Sequence, residues 1–374
     1  MNSARRYDVV IVGAGVAGCA TAVAIKRHNP ELSVCITDAD AASVAPASGF
    51  VQRIGETLPA QIMLPLRRLG LWEEFLGQCF VKSGGTSALW GDDQPHVNEA
   101  IFSALGSGWH LDRKRFDRMF SDAIENYGIR KIENARCQSV ARKHGYWHLQ
   151  YKQQPPVSAV VVIDATGRRA TVAQRLGIGR KRFDDLLAVY RFYATDCAAR
   201  NPRRDTTTLV ESAPFGWWYS AGLPDGMRVV AIMADADYVR QHRLREVESF
   251  NRCMYSSESV WPRLDGMCAT SGPVVTSAQS GCLQQIAGDG WLAVGDAAFT
   301  FDPLSSLGVF QALRMSILAS YAVNDHFKKI DRCFRKYQWF GEQDFQRYLE
   351  KRSQYYAHEQ RYAHRPFWQR RIAA

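Results

Sequence analysis

Three groups of residues in this 374-residue chain have spacings that serve chemistry. The first is Gly13-Ala14-Gly15-Val16-Ala17-Gly18, a G-x-G-x-x-G turn entered from the apolar run Asp8–Val12. Gly13 permits a tight turn, Gly15 lets the backbone approach a pyrophosphate, and Gly18 lets the following helix pack close to its strand. That helix start presents free N–H groups and a positive dipole end to phosphates. Twenty residues past Gly18, after Val34-Cys35-Ile36-Thr37, Asp38 stands where an acid accepts from a ribose 2′-OH. The second group lies far downstream. Gly290–Val294 runs into Gly295-Asp296, whose aspartate suits a polyol hydroxyl, and Asp302-Pro303-Leu304-Ser305-Ser306-Leu307-Gly308 opens a helix facing an anionic ring edge. The third is aromatic: Trp217, Trp218 and Tyr219, with Tyr190 and Tyr193. Strand side chains alternate between faces, so Trp217 and Tyr219 share one.

These groups need a frame that brings distant turns together. The chain is 46% hydrophobic and 22% charged, ordinary globular values that exclude long disordered tracts, and its length predicts two intimately joined domains. The N-terminal apolar run has its glycines on the fingerprint and no small-residue cleavage site, so it reads as a strand rather than a secretory signal, with a cytoplasmic location expected. No stretch is long and apolar enough to span a bilayer. The nine cysteines form no C-x-x-C pair and are odd in number. Neither a disulfide framework nor a metal site is expected, and most are read as buried thiols.

Taken in order, Pro59 marks a helix start, with Ile62, Leu66 and Leu69 on one face and Gly70 as terminator. Trp109-His110-Leu111-Asp112-Arg113 leads into a helix carrying Phe116, Phe120, Ile124 and Tyr127, with Asp112 as its N-cap. Residues 137–140 and 147–151 form a hairpin. Ala159–Ile163 is the continuous apolar run of a parallel strand buried on both faces. It ends in Asp164-Ala165-Thr166-Gly167, where a glycine lets the turn pass close to a ligand on the sheet. From Leu187 the texture alternates over 188–195, 206–212, 217–223 and, after a Pro224-Asp225-Gly226 turn, 227–233. Four antiparallel strands inserted in an α/β chain make a second sheet over the cofactor. Arg191 belongs either to its substrate pocket or to a pair with Glu211. Half of the net charge of +10 falls from Lys351 onward, where six basic residues face one acid, interleaved with Tyr355, Tyr356, Tyr362, Phe367 and Trp368. This is either a surface for an acidic partner protein or a helix packing its aromatics on the body; nucleic acid is not expected.

Gly13–Gly18 with Asp38, Asp164–Gly167, and Gly295-Asp296 with Asp302–Gly308 together resemble the FAD-dependent monooxygenase superfamily. The resemblance implies an α/β fold: a Rossmann-like FAD-binding domain of glutathione-reductase type, an inserted antiparallel β-sheet substrate domain, and C-terminal helices. Residues 1–80, 105–180 and 285–330 would form the first, 81–104 and 181–284 the second, and 331–374 a helical segment with a basic tail. Gly55-Glu56-Thr57, Trp109–Arg113, Gly216–Tyr219 and Asp302–Ser306 look like the branch holding tryptophan halogenases and the LodB/GoxB/QhpG-type maturation flavoproteins. The latter oxidise a tryptophan side chain of a partner protein on the way to a tryptophylquinone. Tyr355–Glu359 with Pro366-Phe367-Trp368 is similar to them as well.

Position by position, the resemblance gives Asp38 the adenosine ribose, Arg113 the flank of FAD, and Asp296 the ribityl or pyrophosphate region. Pro303, Ser305, Ser306 and Gly308 take the isoalloxazine pyrimidine edge, while Gly13, Ala14, Gly15, Gly18, Gly167 and Gly295 complete the cofactor set. The implied reaction is hydroxylation of an aromatic substrate by O₂ through a flavin C4a-(hydro)peroxide. Its implied substrate is a tryptophan in the precursor of a quinone-cofactor (cysteine tryptophylquinone-type) amine or amino-acid oxidase, with Trp217, Tyr219 and Arg191 lining the pocket. The alternative is a tryptophan or phenol halogenase or a small-molecule hydroxylase. Halogenases carry W-x-W-x-I-P where this chain has Trp217-Trp218-Tyr219-Ser220-Ala221, yet Lys82, eight residues before Trp90, falls near the halogenase lysine. No D-G motif for NADPH is evident, so electrons come from a separate flavin reductase or from NAD(P)H without a dedicated site. The catalytic candidates are Lys82, His110 and Glu56. Lys82 is a solvated lysine or a support for the oxygen chemistry, His110 a structural histidine or a proton-transfer group, and Glu56 an orienter of backbone or substrate.

Overall fold

The computed structural model describes residues 5–39, 54–55, 57–99, 106–195 and 205–372, and two eight-stranded sheets organise them. In the first sheet, Arg5–Val12 runs parallel between Val34–Thr37 and Val157–Asp164, and Trp291–Ala293 lies parallel beyond the latter. Val9, Val10, Ile11, Val161, Val162 and Ile163 have no exposed surface, as β-branched residues covered on both faces should. The hairpin Cys137–Lys143 with Tyr146–Tyr151 extends this sheet. It turns at His144-Gly145, both at positive φ, the geometry that matches strand twist.

The helix Val16–His28 covers one face, and the helix Gly308–Phe327 packs on it, with Ser316 Oγ donating to the Ala17 carbonyl at 3.0 Å. Small residues make that approach possible. A Cβ at Gly18 would overlap the Gly13 carbonyl oxygen, and Gly13, at φ +109°, lies against the Ala165 carbonyl. Asp112 caps the helix Arg113–Asn126 by accepting from the Arg115 N–H. Pro59 precedes a single 3-10 turn, Ala60–Ile62, and the helix proper is Met63–Leu69, ended by Gly70 in the left-handed conformation.

The second sheet joins Leu186–Thr195, Arg228–Asp235, Gly216–Gly222 and Thr207–Ala213 in antiparallel order. It is not antiparallel throughout: Gly85–Leu89 adds parallel to Thr207–Ala213 and carries His96–Glu99 on its far side. A chain that leaves a sheet and returns after a long excursion is free to pair in parallel. Register aligns Val210, Tyr219, Ala231, Tyr190 and Val274 in one cross-strand row, and Ser212, Trp217, Met233, Ala188 and Thr276 in the next. That face looks toward the first sheet. The opposite face, with Tyr193, Trp218 and Ile232, is covered by Phe250 and Met254 of the helix Val247–Tyr255.

The helices Cys333–His358 and Pro366–Ile372 fold back on the inner face, so Tyr356, Phe367 and Trp368 share a core with Trp90 and Trp217. Trp368 Nε1 donates to the Ala213 carbonyl and Trp90 Nε1 to that of Tyr355. The basic residues here are engaged internally. Arg352 faces Asp184 and Asp302, Arg361 faces Glu359 and Asp93, and Arg370 and Arg371 both hold Asp235. The tail is therefore a packed clamp, and four of its six cations are paired with acids of this chain. The expectation of mostly buried thiols holds for Cys19, Cys35, Cys137 and Cys333, whereas Cys79 and Cys268 are exposed. No described helix is long and apolar enough to cross a membrane.

Candidate functional site

A cavity of about 540 Å³ runs between the two sheets. At one end its wall is the backbone of Gly15, Val16 and Ala17, faced by Gly167, Arg168 and Asp296. Gly15 is the N-cap of its helix and has no side-chain cap, and a Cβ added to it would meet nothing within 4 Å. The first-turn N–H groups therefore point into free space, a site made for phosphate oxygens. Gly167, at φ +64°, and Gly308 are equally open. Arg113 reaches the cavity from the side, donating to the Ile54 and Gly55 carbonyls and pairing with Asp117 at 3.2 Å. Its Nε is buried without a partner, and a polar atom left so at a cavity wall suits a polar ligand. An uncapped helix start, three open glycines and this guanidinium fit a long, polar, phosphate-bearing cofactor.

The middle of the cavity is bounded by Asp302, Pro303 and Ser306–Val309. Asp302 is fully buried and shapes this loop: its carboxylate accepts from the Leu304 N–H, from the Tyr356 hydroxyl at 2.8 Å and, more loosely, from Arg352 at 3.4 Å. Burial pushes the Asp302 carboxyl up, and the guanidinium of Arg352 pulls it back down. Ser305 is not in the wall; its hydroxyl turns inward to the Asp302 carbonyl at 2.7 Å. Asp296 stays half exposed, 3.5 Å from the Arg168 guanidinium. Gly13, Ala14, Gly18 and Gly295 set backbone approach rather than line the space; a Cβ on Gly295 would crowd Ala17. Asp38 directly follows the strand Val34–Thr37 and accepts from the Ala39 N–H.

The far end lies under the second sheet, whose inner rows supply Tyr219, Tyr190, Met233, Ala188 and Thr276. Tyr219 Oη lies 2.8 Å from Thr57 Oγ1, on a short strand paired to Trp109-His110. His110 is fully buried behind that wall. Burial pushes its imidazole below the usual histidine range, aided by Arg228 and opposed by the bond to the Thr206 carbonyl.

Several expected positions are corrected. Trp217 shares a face with Tyr219 but is core, held by the Tyr356 hydroxyl and 1% exposed. Arg191 points to the opposite face, bonded to Asn251 and the Ser271 carbonyl and lying over Phe250. It does not pair with Glu211, which accepts from Ser257. Lys82 is exposed on the strand Val81–Lys82 and absent from the wall. Glu56 lies outside the described residues. Thr57, Met233 and Arg168 also stand in the wall, without a sequence signal that assigns them a role there. Thr57 belongs to the Gly55-Glu56-Thr57 motif and Arg168 adjoins Asp164–Gly167, whereas Met233 is marked only by strand parity.

The family model described as tryptophan halogenase matches residues 93–372. The FAD-dependent oxidoreductase LodB of Marinomonas mediterranea is 28% identical over 98% of this chain and 97% of its own length. A 1H-pyrrole-2-carbonyl peptidyl-carrier-protein brominase of Pseudoalteromonas luteoviolacea is 25% identical over 86% of this chain and 78% of its own. Among solved structures, the flavin-dependent halogenase CmlS superposes with a TM-score of 0.83 at 23% identity, covering 98% of this chain and 67% of that one. QhpG, a peptidyl tryptophan dihydroxylase essential for tryptophylquinone cofactor biogenesis, gives 0.72 at 23% identity, covering 98% and 79%. At these identities the two structures speak for the fold.

Proposed function

The chain belongs to the tryptophan halogenase family, and on that premise we propose that this FAD-dependent oxidoreductase hydroxylates the indole of a tryptophan side chain presented by a precursor protein. The observation that supports this reading is the continuity of one cavity from Gly15 to Tyr219, long enough for a ring at the 302–308 loop and a substrate under the aromatic sheet to share one space. The likeness to LodB over nearly the full length of both chains supports a maturation role, and QhpG, named for acting on peptidyl tryptophan, has the same fold.

In this reading the Gly13–Gly18 turn and its helix start hold the pyrophosphate, Asp38 the ribose, and Asp296 the ribityl chain, with Arg113 at the flank. Gly167 and Gly295 allow the close approach, and Pro303, Ser306 and Gly308 border the ring. Bound FAD supplies the activated oxygen. The chain supplies orientation and exclusion of water, for which Tyr190, Tyr219, Met233 and Ala188 form an apolar roof that stacks on an indole. Electrons arrive from a separate flavin reductase or from NAD(P)H, and the protein partner is the precursor of a quinone-cofactor amine or amino-acid oxidase.

The test is mass spectrometry of such a precursor co-expressed with and without this protein. Added oxygen on one tryptophan, dependent on this chain, is the expected result. The brominase likeness favours halogenation as the second reading, but the exposed Lys82 leaves the cavity without a lysine from that strand. A chlorinated or brominated product formed from free tryptophan or a phenol with reduced FAD and halide would replace the hydroxylation reading.

A further inference from the structure

The chain has eight methionines, and among the described residues only Met233 stands in the wall of the cavity. It lies within the strand Arg228–Asp235, which is paired on both edges, to Gly216–Gly222 and to Leu186–Thr195. Its cross-strand neighbours are Trp217 and Ala188. Trp217 belongs to the core, while Ala188 is a second wall residue. The pairing fixes the backbone, and the register sets the side chain on the inner face between a core indole and a methyl group that borders the cavity. Bulk solvent hardly reaches it, since Met233 is 2% exposed.

The far end of the cavity offers few groups that an electrophilic oxygen attacks. The methyl groups of Ala188 and Ala278 and the hydroxyls of Thr276 and Ser277 are poor acceptors, whereas the phenols of Tyr190 and Tyr219 and the thioether of Met233 carry electron-rich atoms. The thioether is the softest and most polarizable of these. Its oxidation to the sulfoxide removes no proton and disrupts no ring.

We propose that Met233 accepts the activated oxygen when the cavity holds no substrate, so that empty turnover converts it to methionine sulfoxide. The inference rests on reading this cavity as the place where bound FAD delivers oxygen. In the step the O–O bond breaks, and one oxygen atom bonds to the sulfur through a sulfur lone pair. The other leaves as water with two protons. Sulfur loses two electrons, and the remaining two come from reduced FAD, which ends oxidised. The sulfoxide is polar, so the product marks a chain that has turned over empty and spoils the apolar roof on which an indole would stack.

The test uses the FAD-loaded full chain, photoreduced without air and then mixed with isotopically heavy O₂ in the presence of catalase, which destroys peroxide that escapes. Peptide mass spectrometry after repeated cycles should find heavy oxygen on Met233 and none on Met63, Met227 or Met267, although all three are more exposed. Hydrogen peroxide added to the oxidised protein should give the opposite order. Met233→Leu should lose the label with the flavin spectrum retained, Met227→Leu should keep it, and indole present during the cycles should lower it several-fold. The labelled chain should also bind indole more weakly than the unlabelled one. Met233 free of heavy oxygen in the unaltered protein, label on Tyr190 or Tyr219 in its place, or the same order among the methionines as with added peroxide would overturn the proposal. A labelled Met233 beside an unmodified precursor protein sinks the tryptophan-modifying reading alone, and an oxygenated precursor beside an unlabelled Met233 sinks this proposal alone.

Discussion

The indole nitrogen of Trp217 donates to the hydroxyl of Tyr356 at 3.0 Å. That hydroxyl in turn donates to Asp302, so one phenol ties the inner face of the second sheet, the C-terminal helix and the 302–308 loop of the cavity wall. Tyr356→Phe keeps the ring in its core but strands an indole N–H and weakens the satisfaction of a buried carboxylate. The expected cost is about 2–4 kcal/mol, read as a lower Tm together with faster loss of FAD on gel filtration. A Tm drop without any change in FAD retention would show that Asp302 does not transmit the defect to the loop.

Gly15 and Gly18 should separate cofactor binding from folding. Gly15→Ala places its methyl in open space, so the cofactor-free protein should keep its Tm while its affinity for FAD falls by tenfold or more. Gly18→Ala collides with the Gly13 carbonyl and should lower the stability of the cofactor-free protein itself. Titration of the apoprotein with FAD and calorimetry of both variants check the contrast.

His110 gives stability a pH dependence of definite sign. Its pKa in the folded chain lies below the ordinary value of 6.5, so below about pH 6.5 the unfolded chain binds a proton that the folded chain refuses. Stability should fall as the pH drops from 6.5 toward the depressed folded value, and His110 should contribute no slope above that range. In His110→Gln the slope of unfolding free energy against pH should flatten below pH 6.5. An unchanged slope would place the titration elsewhere.

Arg371 is 2% exposed, bonds both oxygens of Asp235 and stacks 3.7 Å from the Phe367 ring centre. Arg371→Ala leaves a buried carboxylate with Arg370 alone, and breaking a buried pair from one side costs about 3–5 kcal/mol. The exposed Lys351 provides the contrast: Lys351→Ala should stay within about 0.5 kcal/mol of the parent. Urea denaturation of the two variants measures both.

The cofactor end of the site is legible in the sequence because its signals are local. Gly13, Gly15, Gly18 and Asp38 fall within one strand-helix-strand unit; Gly13 and Gly18 answer steric demands that the fold displays, and Gly15 leaves its space open. The far end of the cavity, proposed for substrate, is assembled by register from residues 57, 190, 219 and 233, and no short spacing announces it. Arg191 shows the difficulty: strand parity puts Tyr190 and Phe192 on the inner face and Arg191 on the outer one, but only pairing to Arg228–Asp235 says which face is inner. Ser305 fails for another reason, since a hydroxyl in a loop answers first to its own backbone. The charge count of the tail likewise says nothing of Asp184, Asp235 or Asp93, the distant acids that meet it.

Tyr356 and Trp368 reach the sheet 139 and 155 residues after their partners Trp217 and Ala213. During synthesis that interval lasts roughly ten to thirty seconds, and throughout it the inner aromatic face of the sheet stands uncovered on the nascent chain. The roof of the cavity thus reaches its final packing only after Trp368 has cleared the ribosome, and the 302–308 loop, made earlier, waits for Tyr356 before Asp302 can hold its shape.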